Sequence, residues 1–180
     1  MEQYRVEIEG LVPLLQHRFA GGEELPPEAK FKVGKVDYTK EWEGALYKME
    51  DGTIYQPSDH LENSLVKAAG NFQITGKGKK TYKDLMKSSV LIEPFYIPHE
   101  IQKFEIDIRS VRVGKSRIPR QRPVFHKWRL KFTVTISEPQ LPGSVVKEIL
   151  DYAGRYVGIG YYRPKFGRFQ VILWEKINAG

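Results

Sequence analysis

Trp128, Leu130, Phe132, Val134 and Ile136 alternate with Arg129, Lys131, Thr133 and Thr135. A period of two over nine residues marks a strand with one buried and one wet face. The segments C-terminal to this strand constrain the fold further. Pro142 and Ser144 open a helix whose apolar face is Val145, Ile149, Leu150 and Ala153. A glycine-rich stretch, VGIGYYRPKFGRFQV, then leads into a last strand through Phe169, Val171 and Leu173. The N-terminal half has the same syntax. Tyr4, Val6 and Ile8 alternate with Arg5, Glu7 and Glu9. Pro57 opens a helix that Ser58 or Asp59 can cap, with Leu61, Leu65, Ala68 and Ala69 on one face. Val90 to Ile92 reads as a strand closed by Pro94. Two strand–helix–strand halves on one sheet predict an α+β chain with a ferredoxin-like or RRM-like βαββαβ core.

Around this core the sequence predicts elaborations within a single domain, residues 1–180. Residues 20–45 are irregular, broken by Gly21-Gly22 and Pro26-Pro27, and with the segment up to 55 they read as an insertion or arm. Asp51-Gly52 between Tyr47 and Tyr55 predicts a hairpin. TGKGKK reads as a polar loop, and Tyr82 to Met86 as a short helix. Phe104, Ile106 and Ile108 alternate with charged residues before the phase slips to Val111 and Val113, which predicts a bulge. Pro119 and Pro123 interrupt SRIPRQRPVF and predict a projecting loop.

Composition narrows the function. The chain has 180 residues, 41% hydrophobic and 28% charged, so a globular class is expected. No apolar run approaches the roughly 20 residues of a spanning helix, and the first residues, MEQYRVEIEG, lack the pattern of a signal peptide. With no cysteine, thiol catalysis, disulfides and thiolate zinc are excluded, and a cytoplasmic setting is expected. A net charge of +7 favours anionic partners. Its distribution says more. No acidic residue falls between Ile108 and Ser137, a window holding Arg109, Arg112, Lys115, Arg117, Arg120, Arg122, Lys127, Arg129 and Lys131. A second cluster contains Lys77, Lys79 and Lys80.

These cations are interleaved with Phe125, His126 and Trp128. Cations neutralise phosphates and aromatic faces accept unstacked bases, the combination a single strand needs. Trp128, in phase with Leu130 and Phe132, belongs to the core by its periodicity. Arg117, Arg120 and Arg122 are expected to project toward something anionic. The four histidines, His17, His60, His99 and His126, have no metal-pair spacing and form no readable triad. No nucleotide fingerprint is present. No metal, cofactor or membrane partner is expected.

The glycine-rich stretch resembles the glycine loop of the RAMP superfamily, the CRISPR-associated RNA-binding proteins. Gly158-Ile159-Gly160, then Arg163, then Phe166-Gly167-Arg168-Phe169 carry the likeness, with Pro164 and Lys165 departing from it at the apex. IYQPSDHLENSLVKA is similar to the family's entrance to its first helix through Pro57, Ser58, Leu61 and Leu65, while Asp59 and Glu62 differ. WRLKFTVTI before a helix and the glycine loop matches the second half. The resemblance implies a ferredoxin-like fold with an extended thumb, an RNA or single-stranded DNA partner, and self-association or other ribonucleoprotein subunits along a guide RNA. It gives Gly158 and Gly160 a role in bringing amides to phosphates that Arg163, Lys165 and Arg168 neutralise. Those glycines are equally suited to positive φ at a tight helix-to-strand junction. Two other functions stay open. One is a metal-independent guide-RNA-processing endoribonuclease using His17, His60 and a lysine from 77–80. The other is a structural or assembly protein of a phage or mobile element.

Overall fold

The two halves close onto one sheet. The computed structural model describes residues 1–18 and 41–177. The stretch with Gly21-Gly22 and Pro26-Pro27 lies outside the described residues. In chain order the elements are β1 (Glu2–Gly10), β2 (Leu14–Leu15), α1 (Glu41–Ala45), β3 (Tyr55–Pro57), α2 (Ser58–Ala69), α3 (Lys83–Ser89), β4 (Val90–Glu93), β5 (Tyr96–Pro98), β6 (Glu105–Val113), β7 (Ser116–Phe125), β8 (Arg129–Ile136), α4 (Gly143–Tyr152) and β9 (Phe169–Lys176), with a π-helical turn, Ala153–Val157, after α4.

The main sheet has the order β4-β8-β1-β9, antiparallel throughout. With α2 and α4 as the crossovers, this is the ferredoxin-like βαββαβ topology. The alternation explains which face is dry. Val6 and Ile8 of β1 and Leu130 and Val134 of β8 are fully buried with Leu61 and Leu65 of α2 and Ile149 and Leu150 of α4. The opposite face carries Arg5, Glu7, Glu9, Arg129 and Lys131. Trp128 is a core residue, 1% exposed, and its Nε1 donates to the Val12 carbonyl at 2.9 Å.

β6 and β7 form a long ribbon inserted between the second and third core strands, β4 and β8. β2 pairs with β7 at the ribbon's base, and β3 pairs with β5.

Several expectations change. Residues 116–125 are strand rather than projecting loop. The Gln121 N–H points away from β6 to Glu41, so Pro119 and Pro123, two residues either side, place their missing donors on that same outer edge. The ribbon's register is continuous, without the expected bulge. The register shift falls instead between β1 and β9, where Ile172 has no partner and Trp174 takes the position opposite Val6. Ile106 and Ile108 face solvent, 41% and 65% exposed, while Asp107, Arg109 and Val111 turn inward. Neither long helix has a side-chain cap; Pro57 and Pro142 occupy the N-cap positions. On α4 Val146, not Val145, is the buried valine. Within the supposed arm, residues 41–55 are packed: Ala45, Leu46 and Ile54 are core, and the hairpin is one bridge, Lys48 with Ile54.

The end of α4 is joined to β9 through a tight crossing. Gly167, at φ +78°, would place a Cβ 1.7 Å from the Ile159 carbonyl oxygen. Gly76 has the same φ, +78°, with nothing within 4 Å of a built Cβ. Gly76→Ala is expected to cost only the backbone term, about 1–2 kcal/mol. Gly167→Ala is expected to lose several times that or not fold. Thermal unfolding of the two variants checks this, and equal losses would refute the close approach.

Candidate nucleic-acid interface

A backbone lattice fixes the glycine loop. The Gly158 N–H donates to the Ala153 carbonyl at 2.8 Å, and the Ile159 N–H to Gly167 at 3.0 Å. The Gly167 N–H donates to Pro13 at 2.8 Å and the Tyr161 N–H to Leu15 at 2.9 Å. From α2, Ser64 Oγ donates to the Gly158 carbonyl at 2.9 Å. Gly160, at φ +79°, lies so close to Leu14 and Leu15 that a Cβ would stand 2.6 Å from each. The glycines therefore serve the junction itself. Gly158 is buried and its amide is engaged. The amides of residues 158, 159, 161 and 167 hold the loop. The side chains of Arg163, Lys165 and Arg168 point outward and are exposed. Among the described residues none of these three has a carboxylate partner.

The ribbon's inner face stands across from this loop. Cross-strand partners share a face, so Asp107 with Arg122, Arg109 with Arg120 and Val111 with Ile118 all face inward. Two carboxylates make that basic face tenable. Asp107 takes Arg109 in a two-point contact of 2.5 and 3.1 Å. Glu41, with no exposed side-chain surface, accepts Arg120 at 2.6 Å, Arg122 at 2.7 Å and the Gln121 N–H at 3.1 Å. Burial alone would push the Glu41 carboxyl up. Arg122, the Gln121 amide and Arg120 outweigh it and hold the carboxyl below its ordinary value. Arg109 lies over the Phe166 ring at 4.5 Å and Arg122 over Tyr161 at 5.7 Å. The result is a cleft of about 500 Å³ between ribbon and loop, lined by Arg109, Arg112, Arg120, Arg122, Tyr161 and Tyr162.

The sequence-derived residues divide. Arg120 and Arg122 line the cleft, although Arg122 is 5% exposed and acts from a pinned position, while Gly158, Gly160, Arg163, Lys165 and Arg168 lie in the loop, Lys165 with its ammonium 5.8 Å from the Tyr162 ring. Arg117 lies near the ribbon tip as the cross-strand partner of Arg112. Lys127 is exposed in the turn between β7 and β8. Arg129 lies on the open face of the main sheet and is paired with Glu9 at 2.8 Å. Lys77, Lys79 and Lys80 follow the far end of α2, where Lys77 donates to Gln140 at 2.7 Å. They stand at the opposite end of the sheet from the glycine loop. Phe125 and Trp128 are buried and offer no face to a base. The sequence alone does not point to Arg109, Tyr161, Tyr162 or Glu41 as parts of one site. The one signal for the tyrosines is their position directly after Gly160.

Two of the four histidines lie close by. His17 Nε2 is 3.3 Å from a guanidinium nitrogen of Arg122, and its ring meets Tyr161 edge-on at 4.8 Å. His60, in the first turn of α2, meets Gln56 through Nδ1 and Tyr47 edge-on. The lysines of 77–80 do not approach either one. Burial first, then the Arg163 charge, holds the His60 imidazole down at about 4. Burial holds His99, 3% exposed, at about 4 as well. Among the described residues no three His, Cys, Asp or Glu side chains gather as a metal site.

Comparison with known proteins places the fold. No family model and no curated protein matches the chain. Among solved structures it is similar to a chain in the cryo-EM structure of the Type III-B Cmr-beta bound to cognate target RNA. The TM-score is 0.64 at 12% identity, over 99% of this chain and 61% of that one. The likeness is one of fold, and it agrees with the RAMP-like architecture expected from the glycine loop and the first helix.

The buried charges and rings lead to two expected outcomes. Glu41→Gln takes the carboxylate away from the buried Arg122 guanidinium and is expected to cost about 3–5 kcal/mol, read by urea unfolding at pH 7. The histidines set a pH dependence. Below pH 6.5 the unfolded chain protonates both, while the folded chain keeps them neutral down to about 4. Stability is therefore full above 6.5 and falls as pH drops from 6.5 toward 4, by up to about 1.4 kcal/mol per unit for each group. Urea midpoints measured from pH 7.5 to 4.5 check this, and a flat profile would refute it.

Proposed function

We propose that this protein binds single-stranded nucleic acid, RNA foremost, without cleaving it, as a subunit of a CRISPR-type ribonucleoprotein. The observation that carries the reading is a convergence. Lys165 of the exposed basic loop brings its ammonium to 5.8 Å from the Tyr162 ring, which lines the cleft beneath the ribbon with Arg109, Arg120, Arg122 and Tyr161, and Arg163 and Arg168 of the same loop are exposed without a carboxylate partner among the described residues. Phosphates suit the cations and exposed bases suit the rings. The fold supports the assembly context, since a chain of similar fold occurs in the target-RNA-bound Cmr-beta. RNA as the partner, a place along a guide strand with neighbouring subunits, and a cytoplasmic setting belong to this proposal. Binding without cleavage is favoured over processing because His60, held near 4, is a weak base at neutral pH and has no lysine of the 77–80 cluster beside it.

Fluorescence anisotropy with labelled single-stranded RNA, single-stranded DNA and duplex DNA across a salt series tests it. Tight, salt-sensitive binding to single strands is expected. In Arg163→Ala/Lys165→Ala/Arg168→Ala the slope of log affinity against log salt should fall by about two, since each lost phosphate contact on a single strand contributes about 0.7. The RNA should stay intact after long incubation in EDTA. Salt-independent binding, or none at low salt, would overturn the proposal, and cleavage in EDTA would replace it with the processing enzyme.

A further inference from the structure

The cleft's arginines account for phosphates; its tyrosines are not yet explained. Among the described residues Tyr162 alone combines a side chain with a left-handed backbone, φ +58°. That conformation is disfavoured for any residue that carries a side chain. The same loop uses glycine at 158, 160 and 167, where φ is also positive. At 162 it keeps a tyrosine, and 53% of that tyrosine is exposed. An outlier of this kind at a cleft argues for a use of the ring.

The ring's surroundings say which use. Its inner side is set by Phe166, centroids 5.9 Å apart, and by the Arg109 guanidinium at 5.8 Å. Arg109 is itself fixed by Asp107, so the ring has a defined seat. The Lys165 ammonium is 5.8 Å from the same centroid. Tyr161 stands beside it, centroids 6.4 Å apart. The remaining surface of Tyr162 opens onto the cleft with Arg112 and Arg120 within the same walls. A ligand filling that space needs a flat apolar face next to negative charge. An unstacked nucleotide has both; a duplex hides its base faces. Seating the ring in advance reduces the ordering cost of binding.

We infer that Tyr162 is a nucleobase platform: one base of the bound strand stacks on its ring while ribbon arginines hold the adjoining phosphates, which makes the cleft selective for single strands. This rests on the nucleic-acid reading above and adds to it a specific contact and a selectivity. The bland alternative is that the ring only shields Phe166.

The test uses RNA oligonucleotides carrying 2-aminopurine at successive positions, with wild type, Tyr162→Phe and Tyr162→Asn. Asparagine tolerates the left-handed region, so the fold is retained, and melting temperature confirms it. Wild type and Tyr162→Phe should quench 2-aminopurine at one register. Tyr162→Asn should not, and should bind about tenfold more weakly with an unchanged salt slope, because no phosphate contact is lost. A duplex of the same sequence should bind more weakly and show no quenching. Unchanged affinity and quenching in Tyr162→Asn, or a fall in melting temperature alone, would overturn the platform and leave the shield. The wild-type salt titration reports separately on the parent reading: if wild type binds no RNA, both fall; if it binds and Tyr162→Asn behaves like it, only the platform does.

Discussion

The structure depends on a small knot of main chain where β1 ends and the glycine loop begins. The Leu11 N–H reaches Arg168, Gly167 reaches Pro13, Tyr161 reaches Leu15, and Gly10 reaches Trp128. Four distant parts of the chain are thereby tied: the end of β1, the short β2, the start of β8 and the start of β9. Because β2 also pairs with β7, the knot positions the ribbon as well. Backbone bonds of this density need close contact, and close contact excludes side chains at Gly160 and Gly167. Glycine is required there to let the chain touch itself. The cations set between and after these glycines, Arg163, Lys165 and Arg168, stand exposed on the outer side. A loop whose amides face inward and whose charges face outward follows from packing alone, and the same arrangement presents charge to a ligand.

Charge is distributed according to whether carboxylates are at hand. On the open face of the main sheet Arg5 meets Glu175, Arg129 meets Glu9, and Lys131 lies between Glu7 and Glu100. That face carries no aromatic side chain from β1 or β8, so the open-sheet stacking of an RRM has no counterpart on those two central strands. Around the cleft, among the described residues, Asp107 and Glu41 are the acids paired with its arginines, and both hold those arginines in place. The excess positive field is therefore local to the ribbon and loop. A surface of this kind accelerates encounter with a polyanion while the rest of the sheet stays nearly neutral.

How much of this was legible in the sequence depends on the range of the interaction. Tyr4-Val6-Ile8 and Leu130 to Ile136 declare their strands, because burial on one face is written locally as alternation. Trp128 could be placed in the core by its phase with Leu130. The glycine loop was legible as a loop, and its likeness to the RAMP superfamily agreed with the fold. The ribbon was not. Its inner face carries the half-buried Asp107 and Arg109 while its outer face exposes Ile106 and Ile108, the reverse of what hydropathy suggests, because the two charges pair with each other and the Phe166 ring, remote in sequence, lies against Arg109. Glu41 lies 79 residues from Arg120 in the chain. Nothing in the residues around Glu41 announces that pairing, and with two prolines in β7 the segment reads as broken. The prolines fit because their missing donors fall on one edge, a fact about register that only the folded chain contains.

The ribbon has an architectural consequence. Its nine cross-strand pairs run from Glu105 with Val124 at the base to Val113 with Ser116 at the tip, without a break in register. At about 3.3 Å per residue it extends roughly 26 Å from base to tip. The chain leaves the main sheet after β4 and returns to it at β8 through neighbouring points, so the length of the ribbon is uncoupled from the sheet. Removing one pair beside Gly114 shortens it while leaving every pair below in place and on the same face. Reach is therefore a separately adjustable dimension of this molecule: a yardstick whose zero is set by Glu41 and β2, and whose far end can be moved in steps of one residue pair.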